Sequence, residues 1–424
     1  MSKLSRRTFL QAGVIAALPA SMYRNAFAAE PPSERVRTAM IGVGNQGGPS
    51  NNLKYFNKNV VAVCDVDKNY LGKAADFVQK NQGNKPVMHG DFRRVLDAKD
   101  VDAVVITVPD QWHAYMTIEA CKAGKDVYCE KPLTLVIDEG PKMIAAARTC
   151  KRIVQTGTMQ RSGTEYERAI QLIRDGVLGT ITSVNVVLPG PNWMSRPKDN
   201  APVADSAPPP ELDYELWLGP APQRAYNRNR GHYLFRFYWD YSGGQQTNFG
   251  AHHLDIAQWG LGMDASGPIG VAGTAKFHPE MWYETPDVTD LTYTYANGVT
   301  MRCRQIPGVK GDLQGTEFIG DKGTMFVTRG RLTLTDTKLN YTVPKGESPN
   351  LRHVNNFYDC VKSRKLPVAD VAIGHRSATV CHLGNIAVRT GKPVVWDPVK
   401  ETIVGDAELA KWLTKEYRKP WSLS

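Results

Sequence analysis

The sequence predicts an α/β chain of two unlike halves: a doubly wound parallel sheet first, then an α/β region built on a large open, mostly antiparallel sheet. Three observations predict it. The stretch "VRTAMIGVGNQGG" carries an apolar run to Ile41 and then sets Gly42, Gly44 and Gly47 in GxGxxG spacing. Strand-like and helix-like runs alternate from residue 36 to about residue 157, as a doubly wound sheet requires. Farther on, strands with polar alternation are broken by glycine turns, the pattern of antiparallel neighbours.

At 424 residues the chain is too long for one ordinary core. Its 42% hydrophobic and 22% charged residues are a normal globular composition. The first residues read differently: "SRRTFLQAGVIAALPAS" joins Arg6 and Arg7 to a short apolar stretch, and "AFA" ends at Ala28. This is the pattern of a twin-arginine export signal, residues 1–28, which implies the twin-arginine export machinery as a partner and a periplasmic or otherwise exported protein. Removing it takes away Lys3, Arg6, Arg7 and Arg24, so the formal charge falls from +10 to +6. The remaining basic residues are dispersed, without the block that would track a phosphate backbone, and no nucleic-acid partner is expected. No later run reaches eighteen apolar residues, so no membrane span is expected. Seven scattered cysteines without a CxxC point to neither a disulfide framework nor a zinc ribbon, and no metal is expected.

The glycine motif comes first in the mature chain. A second apolar run, "VVAVCDVD", reaches Asp65 eighteen residues after Gly47. Together these make a dinucleotide fingerprint over a Rossmann domain at 34–158. One glycine serves the tight turn, one the close approach to pyrophosphate, one the helix-strand packing. The pyrophosphate is expected at the N-terminus of the following helix. Asp65 suits the ribose hydroxyls and repels a 2'-phosphate, favouring NAD over NADP. "VDAVVITVPD", "HAYMTIEACKAGK" and "DVYCE" supply strand, helix and strand. The expected cofactor-binding residues are Gly42, Gly44, Asn45, Gln46, Gly47, Asp65, Pro109, His113, Glu130 and Lys131.

The second region, 159–424, opens with a helix over about Thr164–Asp175 and a strand at "TITSVNVVLPG". Pro189–Tyr241 has little periodicity, and an aperiodic segment of that length is usually a functional loop or a wrapping arm. Strands resume in "VTDLTYTYANGVTMRCRQ" and "GTMFVTRGRLTLTD". Helices are expected in "HVNNFYDCVKSR", "HRSATVCHLGNIAVRTG" and "DAELAKWLTKEYR", placed so that C-terminal helices can pack back on the first domain.

Lys131 sits in "KDVYCEKPLT", directly after a strand. In an open parallel sheet the ligand crevice lies outside the carboxyl ends of the strands, so Lys131 is expected near the nicotinamide. There it can bind a substrate hydroxyl and handle its proton, with burial and the cofactor cation pushing its pKa down. In "YSGGQQTNFGAHHLD" a helix starting near Asn248 puts Asn248 and His252 on one face and turns His253 about 100° away.

GxGxxG, the Asp65 strand end, "AGKDVYCEKPL" and "GGQQTNFGAHHLD", in this order, resemble the glucose-fructose oxidoreductase, inositol dehydrogenase and rhizopine-catabolism (Gfo/Idh/MocA) family over nearly all of the mature chain. "ELWLGPAP", "DYSGG" and "CHLGNIAVRTGK" look like its exported bacterial branch. The resemblance implies dimers or tetramers assembled through the open sheet. It also implies Lys131 and His252 as catalytic residues, with Asn248 where the family usually has a catalytic aspartate. An asparagine can orient the imidazole but cannot stabilise its charge. Gln160, Arg161, His253, Asp255, Arg376 and His382 are further candidates to line a sugar site.

These readings imply an exported NAD-dependent carbohydrate oxidoreductase whose substrate is a small sugar or sugar derivative and whose cofactor stays bound. Two alternatives remain open from the sequence. One is an NAD-dependent glycosidase acting by transient oxidation, elimination and re-reduction. The other is a non-catalytic periplasmic sugar-binding protein, for which Asn248 is the argument.

Overall fold

A computed structural model describes residues 35–191, 201–309 and 311–423. The expected export signal at 1–28, with Arg6 and Arg7, lies outside the described residues. Both sheets belong to one unit, Arg37–Ser424.

Strands β1 (Thr38–Ile41), β2 (Val60–Cys64), β3 (Val87–His89), β4 (Ala103–Ile106), β5 (Asp126–Cys129) and β6 (Val154–Thr156) form the first sheet. Its order is 3-2-1-4-5-6, with every neighbouring pair parallel. β1, β4, β5 and β6 are buried along their whole length, which is why they read as unbroken apolar runs: both faces are covered. The strand order reverses between β1 and β4, and a ligand crevice opens there at the carboxyl ends.

Helices α1 (Asn52–Phe56), α2 (Lys68–Gln82), α3 (Phe92–Asp97), α4 (His113–Lys122) and α5 (Glu139–Thr149) connect these strands. Asp67 caps α2 by accepting from the Asn69 and Tyr70 amides, and Gly83 ends it at φ +81°. The helix expected after GxGxxG is not a long one. The chain makes a 3-10 turn at Asn45–Gly47 and then the five-residue α1. Pro49, lacking an amide hydrogen, and the Ser50-Asn51 pair interrupt the helix between them.

In the second half, α6 (Thr164–Arg174) precedes β7 (Ile181–Pro189), and α7 (Tyr214–Leu218), α8 (Gly244–Asn248) and α9 (Gly250–Gly260) precede β8 (Gly270–Lys276). β9 (Val288–Thr294), β10 (Thr300–Ile306), β11 (Gly315–Gly320), β12 (Gly323–Thr328), β13 (Arg331–Leu334), β14 (Tyr341–Thr342), β15 (Val394–Asp397) and β16 (Thr402–Ile403) complete a ten-stranded sheet. Among the described residues its only parallel pair is β7 with β10. Burial alternates along β9 and β10: Leu291, Tyr293, Met301 and Cys303 are fully covered, while Thr292, Thr300 and Arg302 are exposed. The covered side chains pack on α9 and a long helix, each contributing about 1.5–3 kcal/mol when fully buried.

That long helix, α11 (Val371–Thr390), and α10 (Pro349–Ser363) come from the C-terminal part but hold the first sheet. Tyr358 of α10 donates to the Phe56 carbonyl at 3.2 Å and lies 3.1 Å from the Thr38 hydroxyl under β1. Beside α11, the Ala369 carbonyl accepts from the Thr156 amide at 2.8 Å. The helix expected in "DAELAKWLTKEYR" is cut short at α12 (Ala407–Ala410) and one 3-10 turn. Tertiary bonds pull the rest out straight: Lys415 reaches the Asp240 carbonyl at 2.7 Å, and Tyr417 donates to Glu139 at 2.6 Å.

From residue 201 the aperiodic segment is a packed arm with its own aromatic cluster, including Trp217, Tyr226, Phe237 and Tyr241. It is stitched to the edge of the crevice by Asp213 N to Val66 O at 2.9 Å and Lys68 N to Glu211 O at 3.1 Å. Aromatic side chains at irregular spacing carry no periodic signal, yet they make a core.

Candidate active site

A cleft of about 420 Å³ runs along the carboxyl ends of the first sheet, walled on the far side by the arm, by α8 and α9, and by the turn after β12. At one end Gly42 turns at φ +78°, and a Cβ there would stand 2.2 Å from the Thr107 carbonyl oxygen. A Cβ on Gly47 would stand 1.9 Å from the Gly42 oxygen, so Gly47 packs behind the turn and does not face the cleft. Gly42, Gly44, Asn45 and Gln46 do face it. The Asp65 carboxylate accepts from the Val43 amide at 2.7 Å and the Asp67 amide at 2.9 Å, bracing the turn while also lining the cleft. A turn kept tight by Gly42 and Gly47, with an acidic strand end beside it, fits a dinucleotide.

Glu130 and Lys131 leave β5 at the other end, where the Lys131–Pro132 peptide is cis and Pro109 forms part of the wall. His113 does not face the cofactor site as expected. It is 1% exposed, with its ring nitrogens 2.7 Å from the Pro132 oxygen and 3.0 Å from the Val108 oxygen. Burial lowers its pKa to about 4 against the pull of the two carbonyls, so the ring is neutral, packs between the two strand-end loops and donates to one of those oxygens. Glu130 accepts from Asn52 at 2.8 Å and from the Lys131 amide at 3.1 Å. Burial raises its pKa against the pull of Lys131.

The Lys131 ammonium donates to the Asn248 side-chain oxygen at 2.7 Å and its backbone carbonyl at 2.9 Å. Burial, helped by the nearby Arg236 and Arg329 and opposed by Glu130 and Asp110, lowers Lys131 to about 8. The Asn248 amide nitrogen donates to Gln245 at 2.8 Å. The side chain is therefore spent on Lys131 and Gln245, which corrects the expectation that it orients His252. The His252 Nδ1 is buried and has no partner among the described residues. Burial and the neighbouring Lys131 push His252 well below its ordinary pKa, so it is neutral.

Lys131, Asn248 and His252 meet on the cleft wall, and the helical spacing turns His253 away as expected. His253 is 1% exposed and does not line the cleft; nor do the remaining sugar-site candidates. Arg161 and Asp255 are buried together, the guanidinium Nε 2.9 Å from both carboxylate oxygens, with Asp264 completing the pair's surroundings. Charges that must be desolvated together satisfy each other first. Gln160 lies beneath the wall against Tyr166 at 2.7 Å; with its amide turned to satisfy both ends, it donates to the His252 carbonyl at 2.9 Å and so supports α9. Arg376 pairs with Glu401 at 2.7 Å, and His382 lies 3.0 Å from the Thr134 hydroxyl at a separate cavity.

Three cleft residues escape sequence reasoning. Asp110 is 3% exposed, bonded by the Ser242 hydroxyl, and raised by burial to about 7. Its place right after the β4 strand end is the signal that could have found it. Arg236, in the arm, stacks on Tyr233 at 4.3 Å, and Arg329 sits in the turn after β12. Nothing local distinguishes either from a surface arginine. Among the described residues, no group of His, Cys, Asp or Glu could hold a metal ion, and no helix is long and apolar enough to cross a membrane.

Two family models match the chain. "Oxidoreductase family, NAD-binding Rossmann fold" covers residues 36–158, and "Oxidoreductase family, C-terminal alpha/beta domain" covers 162–423. The uncharacterized oxidoreductase YrbE of Bacillus subtilis is 24% identical over 367 residues, 85% of this chain and 92% of that protein. A glycosyl hydrolase family 109 protein of Shewanella baltica is 26% identical over 208 residues; the match spans 43% of this chain and 45% of that relative. The crystal structure of an aldose-aldose oxidoreductase from Caulobacter crescentus shares the fold at a TM-score of 0.65 and 18% identity, covering 85% of this chain and 100% of that one. With its two parts matched in order and the glycine turn, acidic strand end and Glu-Lys-Pro in place, the chain belongs to the Gfo/Idh/MocA oxidoreductase family and carries that family's NAD-binding Rossmann domain.

Proposed function

We propose that the protein interconverts a CH–OH group of a carbohydrate and the corresponding carbonyl, using a tightly bound NAD. The observation that carries this reading is the Lys131 ammonium, held by Asn248 at 2.7 Å and lowered to about 8 in the same cleft as the glycine turn. NAD, when bound, exchanges a hydride with the hydroxyl-bearing carbon. Lys131 in its neutral form takes the hydroxyl proton at Nζ as the carbon-oxygen double bond forms, and gives it back in the reverse direction. Asn248 keeps Nζ aimed without adding charge, which leaves the lysine easier to deprotonate than a carboxylate partner would. His252, neutral on the same wall, hydrogen-bonds a substrate oxygen. The aldose-aldose oxidoreductase of the same fold supports a sugar as the substrate class.

The test is the absorbance of the purified protein before and after a panel of sugars and aryl glycosides. Appearance of bound NADH with a sugar is the expected result; bound cofactor that never changes redox state with any of them would favour a binding protein. The glycosyl hydrolase family 109 relatives favour one second reading, glycoside cleavage through transient oxidation. Release of the aryl group without net NADH would establish it.

We further infer export through the twin-arginine machinery to the periplasm, from Arg6 and Arg7, and a homo-dimer or tetramer joined through the open sheet. Replacing both arginines with lysine is expected to leave precursor in the cytoplasm. Sedimentation of the mature protein as a monomer would refute the assembly.

A further inference from the structure

The hydride-transfer end of the cleft carries more positive charge than its carboxylates balance. Lys131, Arg236 and Arg329 all line it, against Glu130 and Asp110. Both carboxylates have other commitments, Glu130 to Asn52 at 2.8 Å and Asp110 to the Ser242 hydroxyl. The fields of Lys131 and Arg236 both reach these two carboxylates, and the Arg236 guanidinium is held at the Tyr233 carbonyl at 2.8 Å. Arg329 differs. It sits in the turn after β12, over the Phe249 ring at 5.8 Å, and its field reaches both Lys131 and His252. Its nearest acidic neighbour, Glu165, is turned to the Gly330 amide at 3.0 Å. No carboxylate is paired with Arg329 among the described residues; the one polar contact it makes is Nε to the Gln160 oxygen at 3.3 Å. Both terminal nitrogens are left for something in the cleft.

Arg329 is exposed on the cleft wall, where water hydrates it until a ligand displaces that water; a substrate that does so leaves a guanidinium beside Lys131 in need of an anion, and burial by the surrounding protein already lowers Arg329 from its usual value. A neutral sugar hydroxyl could accept from it, but would leave the excess charge uncompensated. A planar guanidinium with two free donors matches the two oxygens of an anionic group.

We propose that the substrate is an anionic sugar, its carboxylate or phosphate seated against Arg329 while the reacting hydroxyl faces Lys131. This rests on the carbohydrate reading above and names its substrate class. The anion anchors one end of the substrate, and the distance to Lys131 selects the carbon that is oxidised.

The experiment compares D-glucuronate and D-glucose 6-phosphate with D-glucose, on mature protein with its NAD, for binding by calorimetry and for bound-NADH formation. One or both anionic sugars are expected to bind at least tenfold more tightly than glucose. Arg329→Gln is expected to weaken that binding by about 10- to 100-fold, the usual range for a lost charge-assisted contact, with a much smaller loss for glucose and bound NAD content retained. Preference for glucuronate identifies a carboxylate; preference for the phosphate identifies a phosphate ester. An anionic sugar that binds through Arg329 but reduces no NAD upholds the anion site and refutes the oxidoreductase reading. Oxidation of glucose with equal affinity for all three, or an Arg329→Gln protein with unchanged preference, overturns the proposal while leaving that reading standing. Binding of glucose alone overturns it as well.

Discussion

Lys131 and Asn248 are joined twice, through the side-chain oxygen at 2.7 Å and the backbone carbonyl at 2.9 Å. Neither bond adds a negative charge. The lysine is therefore held at two points by neutral acceptors and kept, at about 8, near the pKa at which it can exchange a proton at neutral pH.

Lys131→Ala is expected to slow single-turnover reduction of bound NAD by about 10²- to 10⁴-fold, the range for a general acid-base group, while cofactor content is unchanged. Lys131→Arg should not rescue it, because a guanidinium does not release its proton. Near-normal rates in either variant would move the proton transfer to another group.

The pH dependence follows from the same residue. With Lys131 lowered to about 8 among Arg236, Arg329, Glu130 and Asp110, the ammonium below that pH cannot accept a proton, so sugar oxidation should rise with pH and level off above it. Asn248→Asp places an anion where the amide oxygen now lies, which favours the ammonium. The rise should then shift to higher pH, by about one to three units, with little effect on cofactor binding. A profile that stays in place would mean the rate is governed elsewhere.

Gly42→Ala combines two penalties: a side chain at φ +78°, and a Cβ 2.2 Å from the Thr107 oxygen. Left-handed strain and overpacking each cost on the order of 1–3 kcal/mol. The variant should melt earlier and purify with little dinucleotide, as mass spectrometry of the denatured supernatant would report.

Arg161→Ala leaves Asp255, 0% exposed, without its counter-ion. Breaking a buried pair in this way costs about 3–5 kcal/mol, so a clear loss of thermal stability is expected. The hydride-transfer rate of the folded fraction should stay near normal, because neither residue lines the cleft. A specific loss of sugar affinity would restore Arg161 to the substrate site.

Periodicity and glycine spacing alone determined both sheets, since a strand buried on two faces or one writes its pattern into consecutive residues. They also determined the nucleotide turn, where Gly42 is required by backbone geometry, and the strand-end position of Lys131. That Asn248 and His252 reach the same cleft wall was legible from their spacing, but the helix expected to start near Asn248 is broken there: Asn248 ends α8, its carbonyl taken by Lys131, and His252 lies in α9. What the chain does not write locally was decided by tertiary packing. Asn248 turned to Lys131 and not to His252, Arg161 and Asp255 were claimed by each other beneath the wall, and the last expected helix was pulled straight by Lys415 and Tyr417. Arg236 and Arg329 come to the cleft from an aperiodic arm and a turn nearly a hundred residues apart. A charge acquires its role from what faces it across the fold, and a sequence records only what precedes and follows it.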